Sequence, residues 1–188
     1  KVPTETIYGH PSYRMLIPGA PHSVIVNHQG KRFANDSFYP DVATKVARFD
    51  GQEDGMPNWP AWLVFDQNML DKYGLLPFFP SQPLPAEMAE SADSLAQLAQ
   101  QTGINEDGLL ATIEHYNQAC EIGVDVDFGR GTVPWGKLMT GDPSLAKNNN
   151  MAALTRAPYY AVKLERVVMG VTTAVSYTHL RAHETGYN

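Results

Sequence analysis

The sequence predicts an α+β fold on three observations. Short β-branched and aromatic runs lie toward both ends of the chain, two capped amphipathic helices lie between them, and Pro/Gly-broken loops separate the pieces. At 188 residues the chain is long enough for one domain with a real core.

The elements follow in order. Residues 1–19 hold Pro3, Gly9, Pro11, Pro18 and Gly19 and read as a loop-rich lead-in, with one short strand near Arg14–Ile17. The runs Ser23–Asn27 and Lys31–Asn35 flank His28-Gln29-Gly30, where Gly30 supplies the positive φ of a tight hairpin. Asn35-Asp36-Ser37 is a turn cluster that delivers Phe38 and Tyr39. Asp41–Arg48 reads as a short helix with Val42, Val46 and Phe49 on one face. After a loop over Gly51–Pro60, Trp62–Asp66 is a buried strand, and Gln67–Tyr73 is a turn or two of helix stopped by Gly74. The prolines of Leu75–Pro85 impose an extended surface crossing.

Ser94 and Gln97 form a capping box for a helix ended by Gly103. Asn105 caps a second helix, with Leu109, Ile113, Tyr116 and Cys120 on its inner face and Gly123 at its end. Asp125–Trp135 reads as a loop in which Arg130 bonds carbonyls, and Pro143–Leu154 as a polar helix weakened by three asparagines. Tyr159–Leu164 and Val167–Thr173 read as strands, with one of Tyr159 and Tyr160 pointing to the core and the other outward.

Composition narrows the function. A net charge of −6 with scattered Lys and Arg gives no footprint for nucleic acid or an anionic membrane. No apolar run has the length of a membrane span. The lone Cys120 excludes an internal disulfide and suits a reducing, cytoplasmic compartment. His22, His28, His115 and Cys120 lack metal-ligand spacing, so no metal is expected. Trp59, Trp62, Phe78 and Phe79 either fill the core or wall an apolar pocket.

The order KRFAND, WLVFDQ, the helix pair SLAQLAQQTGI and NEDGLLATIEHYNQACEIG, DVDFGRG and APYYAVKL resembles a known flavoprotein family. That family includes fumarate reductase flavoprotein subunits and 3-ketosteroid dehydrogenases, and the likeness leans to the latter. The resemblance implies an α+β substrate-capping domain over residues 20–156, inserted in a Rossmann-like FAD domain that is mostly missing from this chain. Residues 1–19 would lead in from that FAD domain and 157–174 would return to it. The text SYTHLRAHETGYN breaks the pattern, so 175–188 reads as a non-native tail. No G-x-G-x-x-G occurs, so the piece alone is expected to bind FAD poorly, and strand edges meant for a larger sheet are an aggregation risk.

The resemblance also implies chemistry. Exchanging hydrogens at a C–C bond beside a carbonyl needs a flavin for the hydride and an acid or base for the proton. Tyr39 stands where the family holds a catalytic side chain facing the flavin, and Thr172 and Thr173 stand in a loop that approaches it. Fumarate reductases carry an arginine in the turn and a histidine in the strand after PYYAVK. Asn35–Asp41 contains no Arg and Met169–Ala174 no His, which disfavours a dicarboxylate and favours a small apolar ketone, steroid-like, as the substrate partner. The rival readings are a fumarate/succinate-type reductase and a non-catalytic module that keeps the cap fold.

Overall fold

In the computed structural model of the chain, residues 6–7, 10–11, 18–75 and 78–166 are described. Strands β1 (Thr6–Ile7) and β2 (His10–Pro11) form a short antiparallel pair. Then come β3 (Ser23–Asn27), α1 (Tyr39–Val46), β4 (Ala61–Asp66), α2 (Gln67–Lys72) and β5 (Glu90–Ala92). Helices α3 (Leu95–Thr102), α4 (Glu106–Ile122) and α5 (Pro134–Thr140) precede β6 (Tyr159–Lys163). The main sheet is antiparallel, in the order β3–β4–β6–β5. No described helix is long and apolar enough to cross a membrane.

Strand β4 is central and wholly buried, pairing Ser23 with Phe65 on one side and Asp66 with Tyr159 on the other. Its apolar run does not alternate because both faces of the sheet are covered. Trp62 and Val64 face a core shared with Val24, Val26, Leu98, Leu109, Ile113 and Tyr116. Leu63 and Phe65 face a second core with Ile25, Val42, Val46, Met69 and Leu70. The result is a three-layer sandwich with α3 and α4 on one face and α1 and α2 on the other.

The helix signals act as the sequence predicts. Ser94 Oγ accepts the Gln97 amide at 3.2 Å, Asn105 Oδ1 accepts the Gly108 amide at 2.8 Å, and Gly103 and Gly123 end their helices at φ 73° and 84°. Cys120 is half-buried against the α4 core.

Other expectations need correction. The hairpin does not form: Ser23–Asn27 is a strand, but Lys31–Asn35 is irregular and β3 pairs with β4 instead. Asn27 Oδ1 accepts the Gln29 and Lys31 amides, and the Asp36 carboxylate takes the Ile25 amide that a hairpin partner would have taken. Helix α1 starts two residues earlier than predicted and stops at Val46, so Phe49 points outward, 59% exposed. Pro143–Leu154 is not helical. Its asparagines turn their side chains on distant backbone: Asn148 Nδ2 donates to the Gly123 and Arg130 carbonyls, and Asn150 Nδ2 to those of Gly19 and Gly136. Strand β5 and helix α5 were not predicted. Tyr159 packs on the first core and Tyr160 on the second, so neither points to open solvent. The strands expected at Arg14–Ile17 and Val167–Thr173 lie outside the described residues.

Candidate active site

Tyr39 is the first residue of α1 and is 61% exposed, while the turn before it is buried. Asn35, Asp36 and Ser37 form the buried base. Asn35 Oδ1 accepts the Ser37 amide at 3.1 Å and the Ser37 hydroxyl at 2.7 Å, and Asn35 Nδ2 donates to the Gly129 carbonyl at 3.0 Å. Ser37 Oγ in turn accepts the Gly131 amide at 3.2 Å. Helix α5 closes on the same turn through Gly136, where a Cβ would stand 2.5 Å from the Ser37 carbonyl oxygen. Among the described residues, none hydrogen-bonds the Tyr39 hydroxyl.

Beneath the turn lies an ion network of four side chains: Arg32, Asp36, Asp125 and Arg130. Arg130 is fully buried and donates to the carbonyls of Ser23 at 2.6 Å, Ala20 at 2.7 Å and Asn150 at 2.9 Å, with Asp36 Oδ2 at 3.1 Å from Nη1. Arg32 grips Asp125 in a bidentate pair at 2.8 and 3.1 Å and reaches Asp36 at 3.3 Å. Both guanidiniums lie near the Tyr116 ring, 5.1 and 5.3 Å from its centroid.

Burial alone would lower Arg32, but Asp36 and Asp125 reverse that and hold it above its ordinary value. Burial likewise pushes the Asp125 carboxyl up, and the Arg32 hydrogen bond and charge, with the Arg130 amide, bring it below the ordinary carboxylate range. Burial raises the Tyr116 phenol and pushes the Cys120 thiol up to about 11.

The network also completes the sheet. Asp36 takes the Ile25 amide and Arg130 the Ser23 carbonyl, so side chains stand where a further strand would pair with β3. Sequence reading had given Arg130 its carbonyl-bonding role and left the other three charges unassigned. The available signal was that KRFAND and DVDFGRG, two segments far apart, each carry an Arg and an Asp among apolar residues. Helix α5 had a signal too, Pro134 at its first position.

The remaining candidates disperse. Thr172 and Thr173 lie outside the described residues. Trp62 is core, Trp59 and Phe78 pack on the second core, and Phe79 is 65% exposed. His22 bonds the Ala153 carbonyl and His115 pairs with Asp127; no described cluster could hold a metal ion. A pocket between β5 and α3, lined by Ser91, Asp93, Gln97 and Gln101 among others, includes none of the predicted site residues.

The three-layer fold is shared with a crystal structure of 3-ketosteroid delta1-dehydrogenase from Sterolibacterium denitrificans in complex with 1,4-androstadiene-3,17-dione. The TM-score is 0.73 at 27% identity, covering 87% of this chain and 30% of that one. The FAD binding domain family matches residues 6–173, and the chain belongs to that family. It is 37% identical over 171 residues to 3-oxosteroid 1-dehydrogenase of Mycolicibacterium smegmatis, covering 86% of this chain. A probable fumarate reductase of Shewanella frigidimarina is more distant, 28% identical over 142 residues, covering 76% of this chain and 20% of the relative. The chain spans about 30% of the length of the 3-oxosteroid relative it matches.

Family membership makes FAD the cofactor. The glycine-flanked loop at Arg130 offers no free amides for a phosphate: the Arg130 amide donates to Asp125 and the Gly131 amide to Ser37.

Proposed function

We propose that this chain is mainly the substrate-capping domain, residues 20–156, of a flavin-dependent oxidoreductase acting on a CH–CH bond beside a ketone. Residues 1–19 and 157–174 then join it to a Rossmann-like FAD domain, and 175–188 stand outside the working fold. The observation that carries the reading is a solvent-facing phenol, Tyr39, on a turn fixed from below by a buried ion network. FAD, when bound, supplies the two-electron exchange with one carbon of the substrate. Tyr39 exchanges the proton of the neighbouring carbon, and Thr172 and Thr173 contact the flavin. A cytoplasmic location fits the single cysteine.

An apolar, steroid-like ketone fits this surface better than a dicarboxylate. No arginine lies in Asn35–Asp41, and the one cation on α1, Lys45, is engaged by Asp41 at 2.8 Å. Helix α5, docked on the Ser37 turn, leaves Trp135, Leu138 and Met139 exposed, so apolar surface is available on the element beside Tyr39. The similarity to 3-oxosteroid dehydrogenases supports the same substrate class.

The test uses the full-length, flavin-loaded protein with testosterone as the 3-ketosteroid and an artificial electron acceptor. Tyr39→Phe is expected to lower turnover by about a hundredfold, the scale of an acid–base contribution. Flavin reoxidation by fumarate, with no reduction by testosterone, would favour the reductase reading. No redox change with either, and unchanged ligand binding in Tyr39→Phe, would leave a binding module.

A further inference from the structure

The bonds that close the Tyr39 turn link residues before Tyr39 to residues after it. Asp41, two residues after Tyr39, accepts the Asn35 amide at 2.8 Å through Oδ2, and the same oxygen holds Lys45 Nζ at 2.8 Å. The Phe38 amide donates to the Asn35 carbonyl and the Asp41 amide to the Phe38 carbonyl, both at 3.0 Å. Lys45 is steadied in turn, its ammonium 5.5 Å from the Phe128 ring centroid.

This is not ordinary helix capping. An acidic residue three positions into a helix usually returns to the amide of the N-cap residue. Here the N-cap is Phe38, which offers no side-chain cap, and its amide is already satisfied by Asn35. Asp41 instead reaches three residues further back, so its carboxylate joins the two ends of a loop that has Tyr39 inside it.

We propose that Asp41 is a positioning residue for Tyr39: its carboxylate fixes where the phenol oxygen stands, without touching substrate. This rests on Tyr39 exchanging the proton, because misplacing a catalytic group by about 1 Å can cost roughly a hundredfold in rate. Asp41 is partly exposed, so its replacement leaves both cores intact.

The experiment is a double-mutant cycle in the full-length, flavin-loaded protein with testosterone, together with amide hydrogen exchange of the Asn35–Asp41 segment. Asp41→Ala is expected to lower kcat by about tenfold or more, with KM changed by less than about twofold and flavin absorbance unchanged. Asp41→Asn keeps an oxygen for the Asn35 amide and is expected to restore most of kcat. In the Tyr39→Phe background Asp41→Ala should cost nothing further. An equal loss in both backgrounds, or an Asn variant as slow as the Ala variant, overturns the proposal. Exchange of the Asn35 amide should rise in Asp41→Ala and not in Asp41→Asn; unchanged exchange in Asp41→Ala overturns the proposal whatever turnover does. Unchanged turnover in Tyr39→Phe alone sinks the functional reading instead, and the exchange result still decides whether Asp41 holds the turn.

Discussion

Arg130 joins four parts of the chain at one buried point: the Ala20–Ser23 backbone, the Asp36 carboxylate, the Asn150 carbonyl and the loop it belongs to. Removing Arg130 takes the side-chain donor from the buried Ser23 and Asn150 carbonyls and leaves Asp36 with only Arg32 as its charge partner, at 3.3 Å. Arg130→Met should therefore cost about 3–5 kcal/mol in urea unfolding, far more than an exposed pair such as Arg156–Asp71 would. Asp125 gives the network a pH dependence. Its folded-state value lies below the ordinary one of about 3.9, so its stabilisation is complete above that pH and fades as pH falls through the folded value. The urea midpoint should hold from neutral pH to about 4 and then fall, and Asp125→Asn should start lower but lose less on acidification. Cys120 makes the opposite case. With burial pushing its thiol up to about 11, it stays mostly protonated at mildly alkaline pH, so iodoacetamide should modify it far more slowly than it modifies the unfolded chain.

At the scale of elements, close approach outweighs propensity. Gly108 lies in the first turn of α4, where Ala would ordinarily gain about 1 kcal/mol. A Cβ there would stand 2.0 Å from the Gln29 carbonyl oxygen, a backbone atom that cannot swing aside. Gly108→Ala should therefore lower the Tm, and Gly103→Ala should not share its cause, since a Cβ at Gly103 meets nothing within 4 Å and only the positive φ resists it. What the sequence made legible follows the same division. The elements α3, α4, β4 and β6 were readable because caps, glycine stops and apolar period are local signals. The false helix at Pro143–Leu154 and the false hairpin have different causes. Asn148 and Asn150 bond backbone far away in sequence, which no window of residues contains, whereas Asn27 takes the Lys31 amide four residues on and Asp36 the Ile25 amide, local side-chain bonds that displace a second strand. For the candidate site, the turn that delivers Tyr39 was legible from its Asn-Asp-Ser cluster and the catalytic role of Tyr39 stays a proposal, whereas the Asp41 bracket and the docking of α5 through Gly136 needed coordinates. Thr172 and Thr173 stay where motif order puts them, as expectations.

On the scale of the molecule, two features pull the expected behaviour of this chain apart. Both cores are built from described residues, one under α3 and α4 and one under α1 and α2, and the sheet edge at β3 is covered: Asp36 takes the Ile25 amide, Arg130 the Ser23 carbonyl and Lys31 the Asn27 amide. That covering removes much of the aggregation risk an open edge would carry. A polypeptide of this sequence should thus unfold in one cooperative urea transition, coincident by far-UV dichroism and by the fluorescence of Trp59, Trp62 and Trp135. The same polypeptide should stay colourless. Holding FAD needs amides aimed at its pyrophosphate, and in the described glycine-flanked loop at Arg130 the amides of Arg130 and Gly131 already serve Asp125 and Ser37. Gel filtration after incubation with FAD should separate the flavin from the protein, whereas the full-length protein should keep it. A yellow, stoichiometric complex with this chain alone would mean that its phosphate cradle lies elsewhere in these 188 residues, and the division into a cap and a separate FAD domain would have to be withdrawn.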